Sequence, residues 1–348
     1  MSARAVNLAI LVLVTVQFLS GFAAFLVGTP DGRWVFWVHA VGGVTLALLV
    51  PWKTAIALRS FARRRWGVWA SLPILLSLLF LGSLISGLLW STTGLPRVAI
   101  PLYGQITGLT VHVTLSLVLL VPLVDHLALR WFPPRTDDFL GRRQALRTLA
   151  AAGAGAAVWQ ASEGLSALAS LSGATRRFTG SREEGSFTGN AHPVTNWLSD
   201  ETQLIDLEGW RLRVRGRVAR ELDLTYEELR FLPSSVTRSL LDCTGGWFTR
   251  QDWRGVRISS LLAEARVLDD ARSVVVRSVT GYDRRFAVED VDRLLLAFQV
   301  TGERLTPVHG FPARLVAPGR RGYNWVKWVE SIEVSGTPPL LQPPLPLQ

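Results

Sequence analysis

The sequence predicts a multi-domain chain, an all-α transmembrane helical bundle followed by a mixed α+β domain. Three observations carry that reading. Four apolar stretches, roughly 5–27, 34–52, 68–90 and 106–129, are each long enough to cross a bilayer. The formal charge of +10 is unevenly spread: residues 1–147 hold 13 Arg or Lys against 4 Asp or Glu, and residues 148–348 hold 24 against 23. From Trp210 onward the pattern switches to alternation, with Leu212, Val214 and Val218 interleaved among Arg211, Arg213, Arg215 and Arg217, as in a half-buried strand. A basic surplus lying among apolar segments is an orientation signal for a lipid membrane and argues against nucleic acid as the partner. A mean hydropathy of +0.27 fits the same class.

The first unit is assigned to residues 1–132. The loop with Lys53, Arg59, Arg63, Arg64 and Arg65, and the segment with Arg130, Arg135, Arg142, Arg143 and Arg147, belong on the cytoplasmic side. The N-terminus is then inside, and Trp34, Trp37, Trp52, Trp66, Trp69, Trp90 and Trp131 fall near span ends, as an aromatic belt would. Two spans carry a histidine at matching depth: His39 lies five residues past Trp34, and His112 six past Ile106. Both sit roughly 8–9 Å below the outer boundary at 1.5 Å per residue. An ionisable group at that depth is a functional candidate. Two neutral imidazoles at one level are what a six-coordinate haem iron needs. Gly42, Gly43 and Gly108 lie on the histidine faces and would admit a porphyrin. The plainer alternative is two histidines that hydrogen-bond within the bundle. His126, ~21 Å below His112, has Lys53 where a second haem would want histidine, so one haem b is expected. The pattern resembles membrane cytochrome b subunits that exchange electrons with a quinone.

Residues 133–171 are assigned to a basic connector and a fifth transmembrane helix. Arg142-Arg143 ahead of a weakly apolar Ala/Gly run resembles a twin-arginine export signal, and Ala167-Leu168-Ala169 a signal-peptidase site, with the chain expected to stay intact. Residues 172–194, rich in Gly, Ser and Thr, read as a linker. The domain proper spans 195–336, and the five-proline tail 337–348 is expected to run extended and unpacked. Thr225 to Leu229 opens a short helix with a capping box, and Ile258 to Ala265 forms another. Ser273 to Val279, Ala313 to Val316 and Ser331 to Val334 are strands.

Cys243 is the only cysteine, so it forms no intramolecular disulfide. In an exported domain a free thiol is an oxidation hazard, which points to an occupied sulfur, with a metal as the candidate. The alternative is a small buried hydrophobe. The run Arg238-Ser239-Leu240-Leu241-Asp242-Cys243-Thr244-Gly245-Gly246-Trp247 precedes Trp253-Arg254-Gly255-Val256. A second run, His309-Gly310-Phe311-Pro312-Ala313-Arg314-Leu315-Val316-Ala317-Pro318-Gly319, precedes Gly322 and Val326-Lys327-Trp328. Together these resemble the molybdopterin domain of the sulfite oxidase family, over roughly residues 195–336. Its bacterial branches include periplasmic methionine-sulfoxide reductases paired with haem b membrane subunits, and this chain looks like such a pair fused.

The resemblance implies that Cys243 gives a thiolate to molybdenum and is the catalytic ligand. It implies pterin contacts from Asn196, Ser278, His309, Arg314, Trp325, Val326 and Lys327. Arg238 reads equally as a substrate-side or pterin-side cation or as a strand partner, and Tyr282 as a cleft residue or a packed one. His309 stands where the reductase branch has Asn, as in sulfite oxidases, and the dimerisation domain of those oxidases is missing. The expected enzyme is a multi-pass membrane oxidoreductase with its molybdenum domain outside the cytoplasm. It would transfer oxygen atoms to or from a small sulfoxide or sulfite-like substrate, through haem b, with a quinone or other redox partner. The implied direction is sulfoxide reduction; the alternatives are sulfite-type oxidation and a non-catalytic receptor or anchor.

Overall fold

The computed structural model describes residues 3–61, 71–94, 98–100, 104–130, 133, 142–196 and 200–345. Trp66, Trp69, Trp131, Arg63, Arg64, Arg65 and Arg135 lie outside the described residues. The chain divides into two units, 1–180 and 181–348.

The first unit is helical. Helices α1 (Ala3–Leu26), α2 (Arg33–Phe61), α3 (Ser71–Thr92) and α4 (Gly108–Arg130) follow the four apolar stretches, with a small hairpin of β1 (Val98–Ile100) and β2 (Gly104–Ile106) before α4. All four helices are long and apolar enough to cross a membrane. A fifth helix, α5 (Arg142–Leu168), is long but not among those four by hydropathy, because alanine and glycine dominate it. It still packs closely on α2: a Cβ at Gly155 would lie 3.1 Å from the Val41 carbonyl and would collide with Thr45.

The belt reading fails at Trp90, which is 6% exposed and donates its indole N–H to the Gly180 carbonyl. Trp34, Trp37 and Trp52 are exposed, as a belt requires. The assigned linker is also not free. Its first part is tied into the helical unit by Gly173 N–H to Thr92 O, by Arg177 to Gly28 O and by Phe178 against Phe36.

The second unit holds two sheets. One contains β3 (Arg182–Glu183), β6 (Ser235–Asp242), β7 (Trp247–Arg257), β10 (Leu295–Val300), β11 (Glu303–Arg304) and β12 (Arg314–Val316). The other runs in the order β5 (Leu222–Leu224), β4 (Leu212–Gly216), β13 (Val329–Ser335), β8 (Ser273–Ser278), β9 (Asp283–Ala287). Strand β3 pairs with β7 in parallel, so the second part of the assigned linker opens the sheet instead of leading to it. Helix α6 (Tyr226–Phe231) begins on the expected capping box, with both of its hydrogen bonds present. Helix α7 (Ile258–Ala265) buries Ile258, Leu261, Leu262 and Ala265 and ends on left-handed Arg266. Strand β4 alternates as the arginines require, with Leu212 and Val214 buried and Arg213 and Arg215 exposed. Val274, Val275 and Val276 are buried on both faces of β8, where branched side chains suit the pleat.

The tail also departs from expectation. Thr337 O accepts from Ser273, Gln342 Oε1 accepts from the Arg285 N–H, and Pro343 O accepts from Arg284. These acceptors satisfy donors on β8 and on the edge strand β9, which is why the prolines lie down instead of projecting.

Strands β7 and β10 approach where Gly255 faces Ala297, and a Cβ at Gly255 would lie 2.0 Å from the Leu296 carbonyl. Gly255→Ala is therefore expected to cost about 1–3 kcal/mol by overpacking. A calorimetric scan of the full chain should show the transition of the second unit move down by several degrees, with the helical unit unchanged.

Candidate functional site

One cleft gathers side chains from both sheets and from the segment after β3. It is lined by Thr195, Asn196, Cys243, Tyr282, Arg314 and Lys327 among others.

Cys243 follows the last residue of β6 and is 7% exposed. Its backbone is closed into a turn: its N–H donates to Trp247 O, and its carbonyl accepts from the Gly246 N–H. The Gly245 N–H donates to the sulfur at 3.3 Å. Burial pushes the thiol upward, while the Gly245 and Thr195 hydrogen bonds and the Arg321 charge pull it down. The Trp247 indole donates to the Thr195 hydroxyl oxygen at 3.2 Å, so the hydroxyl is oriented as well as present.

On the far side of the cleft, His309 sits in a turn whose next residue, Gly310, has φ 103°. A Cβ there would lie 3.0–3.2 Å from Arg314 and Lys327, so glycine lets the two cationic segments close together. Arg314 opens β12, is 2% exposed, and donates to His309 O at 3.1 Å. Its guanidinium lies 5.0 Å from the Trp253 ring and 5.9 Å from the Trp325 ring. Burial lowers it to about 10, and its Nε has no hydrogen-bond partner. Such a fixed, buried fork with a spare donor suits an anionic or polar cofactor group.

The Lys327 ammonium donates to Thr195 O (3.2 Å), Asn196 Oδ1 (2.6 Å) and Val308 O (2.9 Å), which uses all three of its hydrogens. Burial first, and the Arg314 charge second, bring Lys327 down to about 7.

The structure brings Asn196, Cys243, Ser278, His309, Arg314, Trp325, Lys327 and Tyr282 to one cleft. Val326 does not line it; its carbonyl accepts from the Leu315 N–H and joins the loop to β12. Arg238 is elsewhere: it forms a two-pronged pair with Asp252 on β7, at 2.8 and 3.0 Å, with 69% of its side chain exposed. Of its readings the strand partner fits. Tyr282 lines the cleft and donates its hydroxyl to Tyr323 O.

His309 is more committed than its motif suggests. Its Nε2 hydrogen goes to His192 O at 3.0 Å, and its Nδ1 accepts from the Thr306 hydroxyl at 2.6 Å. Burial holds it down to about 4, so it is neutral at physiological pH.

Sequence reasoning missed His192, whose ring centroid lies 4.3 Å from that of His309 and which burial lowers to about 3. It missed Thr195 and Asp200, a cleft carboxylate raised by burial. These residues lie in irregular chain, where no periodicity marks them. A histidine in an otherwise Gly- and Ser-rich run was the one available signal.

In the helical unit, the His39 and His112 rings lie 6.0 Å apart, centroid to centroid. The His112 Nδ1 contacts the Ser83 carbonyl at 2.8 Å, an acceptor, so Nδ1 carries the proton. The His39 Nδ1 contacts the Ser20 hydroxyl at 3.0 Å. That hydroxyl spends its hydrogen on Val16 O at 2.6 Å, so His39 Nδ1 also carries the proton.

Residues 199–340 match the family described as oxidoreductase molybdopterin binding domain. An uncharacterized oxidoreductase, YuiH, from Bacillus subtilis is 32% identical over 132 residues, covering 37% of this chain and 66% of that protein. A putative protein-methionine-sulfoxide reductase subunit, YedZ1, from Azospira oryzae is 30% identical over 146 residues, 40% of this chain and 54% of that one. In both cases the match spans less than two thirds of the relative. Among solved structures, the sulfane dehydrogenase SoxCD from Paracoccus pantotrophus is similar at 30% identity, with a TM-score of 0.38, covering 39% of this chain and 40% of that chain.

Lys327 provides a pH test. Its folded value of about 7 lies below the ordinary lysine value, so between them the unfolded chain binds more protons. Stability of the cofactor-free protein is thus expected to rise with pH from about 7 to about 10. Melting temperatures of wild type and Lys327→Met, compared across that window, should converge as pH rises, because the burial cost disappears once the amine is neutral.

Proposed function

We propose, for a chain whose residues 199–340 form an oxidoreductase molybdopterin-binding domain, a membrane-bound enzyme that reduces organic sulfoxides with electrons from a quinol. The observation that carries this reading is the buried Cys243 sulfur in a cleft whose opposite wall presents Arg314 and Lys327.

The donor set fits molybdopterin. A soft sulfur is suited to a redox-active metal, and the unpartnered Nε of Arg314 is a buried donor in need of an acceptor. Bound there, molybdenum would supply two-electron oxygen-atom transfer, with Cys243 as its protein ligand. Asn196, Ser278, Arg314 and Lys327 would hold the pterin and its phosphate, with Trp325 as part of the wall. Thr195 and the Gly245 N–H steady the sulfur, and His309 holds the segment around His192 through that residue's carbonyl. Tyr282 and Tyr323 border the cleft, and Asp200 adds a carboxylate there. With Arg314 and Lys327 given to the cofactor, Tyr282, Tyr323 and the Asp200 carboxylate that also line the cleft favour an uncharged sulfoxide over sulfite. The overall change consumes two protons and two electrons, releasing a thioether and water.

Haem b is proposed between His39 and His112. Their ring centroids, 6.0 Å apart on two neighbouring helices, bring two imidazoles close enough that both would serve one iron. Histidines that bind metal through one nitrogen commonly give the other N–H to a carbonyl or similar acceptor, as His112 gives its own to Ser83. Gly21 and Gly87 make room, since a Cβ at either would lie 3.0–3.2 Å from the imidazole of the neighbouring helix. The haem would exchange single electrons with a quinone in the bilayer. We also infer that α5 is a fifth crossing, since small residues such as Gly155 permit close helix packing in lipid. An odd number of crossings puts the N-terminus and the molybdenum domain on opposite faces of the membrane.

The purified full chain, reduced stoichiometrically, is expected to show a haem b band that reoxidises when methionine sulfoxide is added without air. Cys243→Ser should abolish that reoxidation and keep the band. His39→Ala and His112→Ala should each lose the band and keep molybdenum. Reduction of the oxidised haem by sulfite, with no reoxidation by the sulfoxide, would reverse the direction assigned here.

A further inference from the structure

The carboxylate next to the cysteine takes no part in the cleft. Asp242 is the last residue of β6, 2% exposed, and its Oδ2 lies 2.8 Å from Nη1 of Arg321, whose side chain is 4% exposed. Its Oδ1 accepts from the Ser181 hydroxyl at 2.7 Å. The guanidinium also reaches the Cys243 carbonyl through Nη2 at 3.5 Å. Asp242 and Arg321 are bridged in parallel through their backbones. The next residue, Gly322, packs on the cysteine so closely that a Cβ would lie 3.1 Å from Cys243 Cα and 3.2 Å from Asp242 O.

A buried ion pair is weak as a stabilising device, because taking two charges out of water offsets most of their attraction. Its placement is therefore more informative than its existence. Arg321 reaches the Cys243 carbonyl, Asp242 directly precedes Cys243 in the chain, and neither side chain reaches the surface. We propose that Asp242 and Arg321 are positioning residues that lock the Cys243 backbone and, by cancelling each other's charge, keep a net field off the metal held by its sulfur. This rests on the reading of Cys243 as the molybdenum ligand.

The pair cancels within itself, so it exerts only a small net field at the sulfur. Deleting one charge leaves the other uncompensated in a low-dielectric site, where it acts strongly. Guanidinium cannot shed its proton in proteins, so Asp242→Asn leaves a lasting positive charge beside the sulfur. That charge favours the more electron-rich, reduced metal.

The test is an EPR-monitored redox titration of molybdenum in the full-length, cofactor-loaded protein. Asp242→Asn is expected to move the midpoint potential upward, and the double variant Asp242→Asn/Arg321→Gln, neutral again, to return it toward the wild-type value. A purely structural pair would give a double variant at least as perturbed as the single one, or no shift in either, and both results would overturn the proposal. If Asp242→Asn does not fold, Arg321→Lys keeps the charge but not the fork. Its potential should stay near wild type while its molybdenum EPR line shape broadens from a less fixed ligand; a displaced potential with unchanged line shape would overturn the proposal. Wild-type protein that binds no molybdenum would instead sink the reading of Cys243 on which this rests.

Discussion

The second unit holds a single sulfur buried and hydrogen-bonded, yet on the wall of a cleft, and the elements around it follow from that placement. Cys243 stands at the end of a long strand, where the ladder stops and the chain turns, so its sulfur faces open space while its backbone remains hydrogen-bonded on both sides. The opposite wall is drawn in by Gly310, whose positive φ and missing side chain allow the Arg314 and Lys327 segments to approach. Trp253 and Trp325 then serve twice, as core and as the apolar ground over which the Arg314 charge is held.

Much of this was legible in the sequence, for identifiable reasons. The membrane helices follow from hydrophobic length alone, and α7 from a helical spacing that buries Ile258, Leu261, Leu262 and Ala265. The capping box at Thr225 is a local device, so reading it needs nothing beyond four residues. What stayed hidden depends on contacts between distant residues. The strand at Arg182–Glu183 is two residues long and exists because β7 has an open edge to receive it. Composition called that region a linker. The proline tail was misjudged for a similar reason, since its acceptors answer donors on β9.

The cleft divides along the same line. Of the motif residues singled out in the sequence, Cys243, His309, Arg314 and Lys327 line one cleft, whereas Val326 does not and Arg238 spends its charge on Asp252. His192, Thr195 and Asp200 came from irregular chain with no pattern to read. Trp90 shows the limit of a positional rule: being near a span end suggested an interfacial ring, yet its N–H is satisfied by the Gly180 carbonyl inside the unit.

That same carbonyl marks where the polypeptide could be divided. Residues 173–180 are bonded to the helices, and Ser181 is already bonded to Asp242 in the other unit. The seam is one peptide bond wide. An operon that encoded the two units as separate genes would have very little freedom in where to put the break. Moved a few codons upstream, it would strip the helices of their clamp on Trp90. Moved downstream, it would take Ser181 away from the carboxylate beside Cys243. The stretch that joins the units thus completes each of them, the helices up to Gly180 and the two sheets from Ser181.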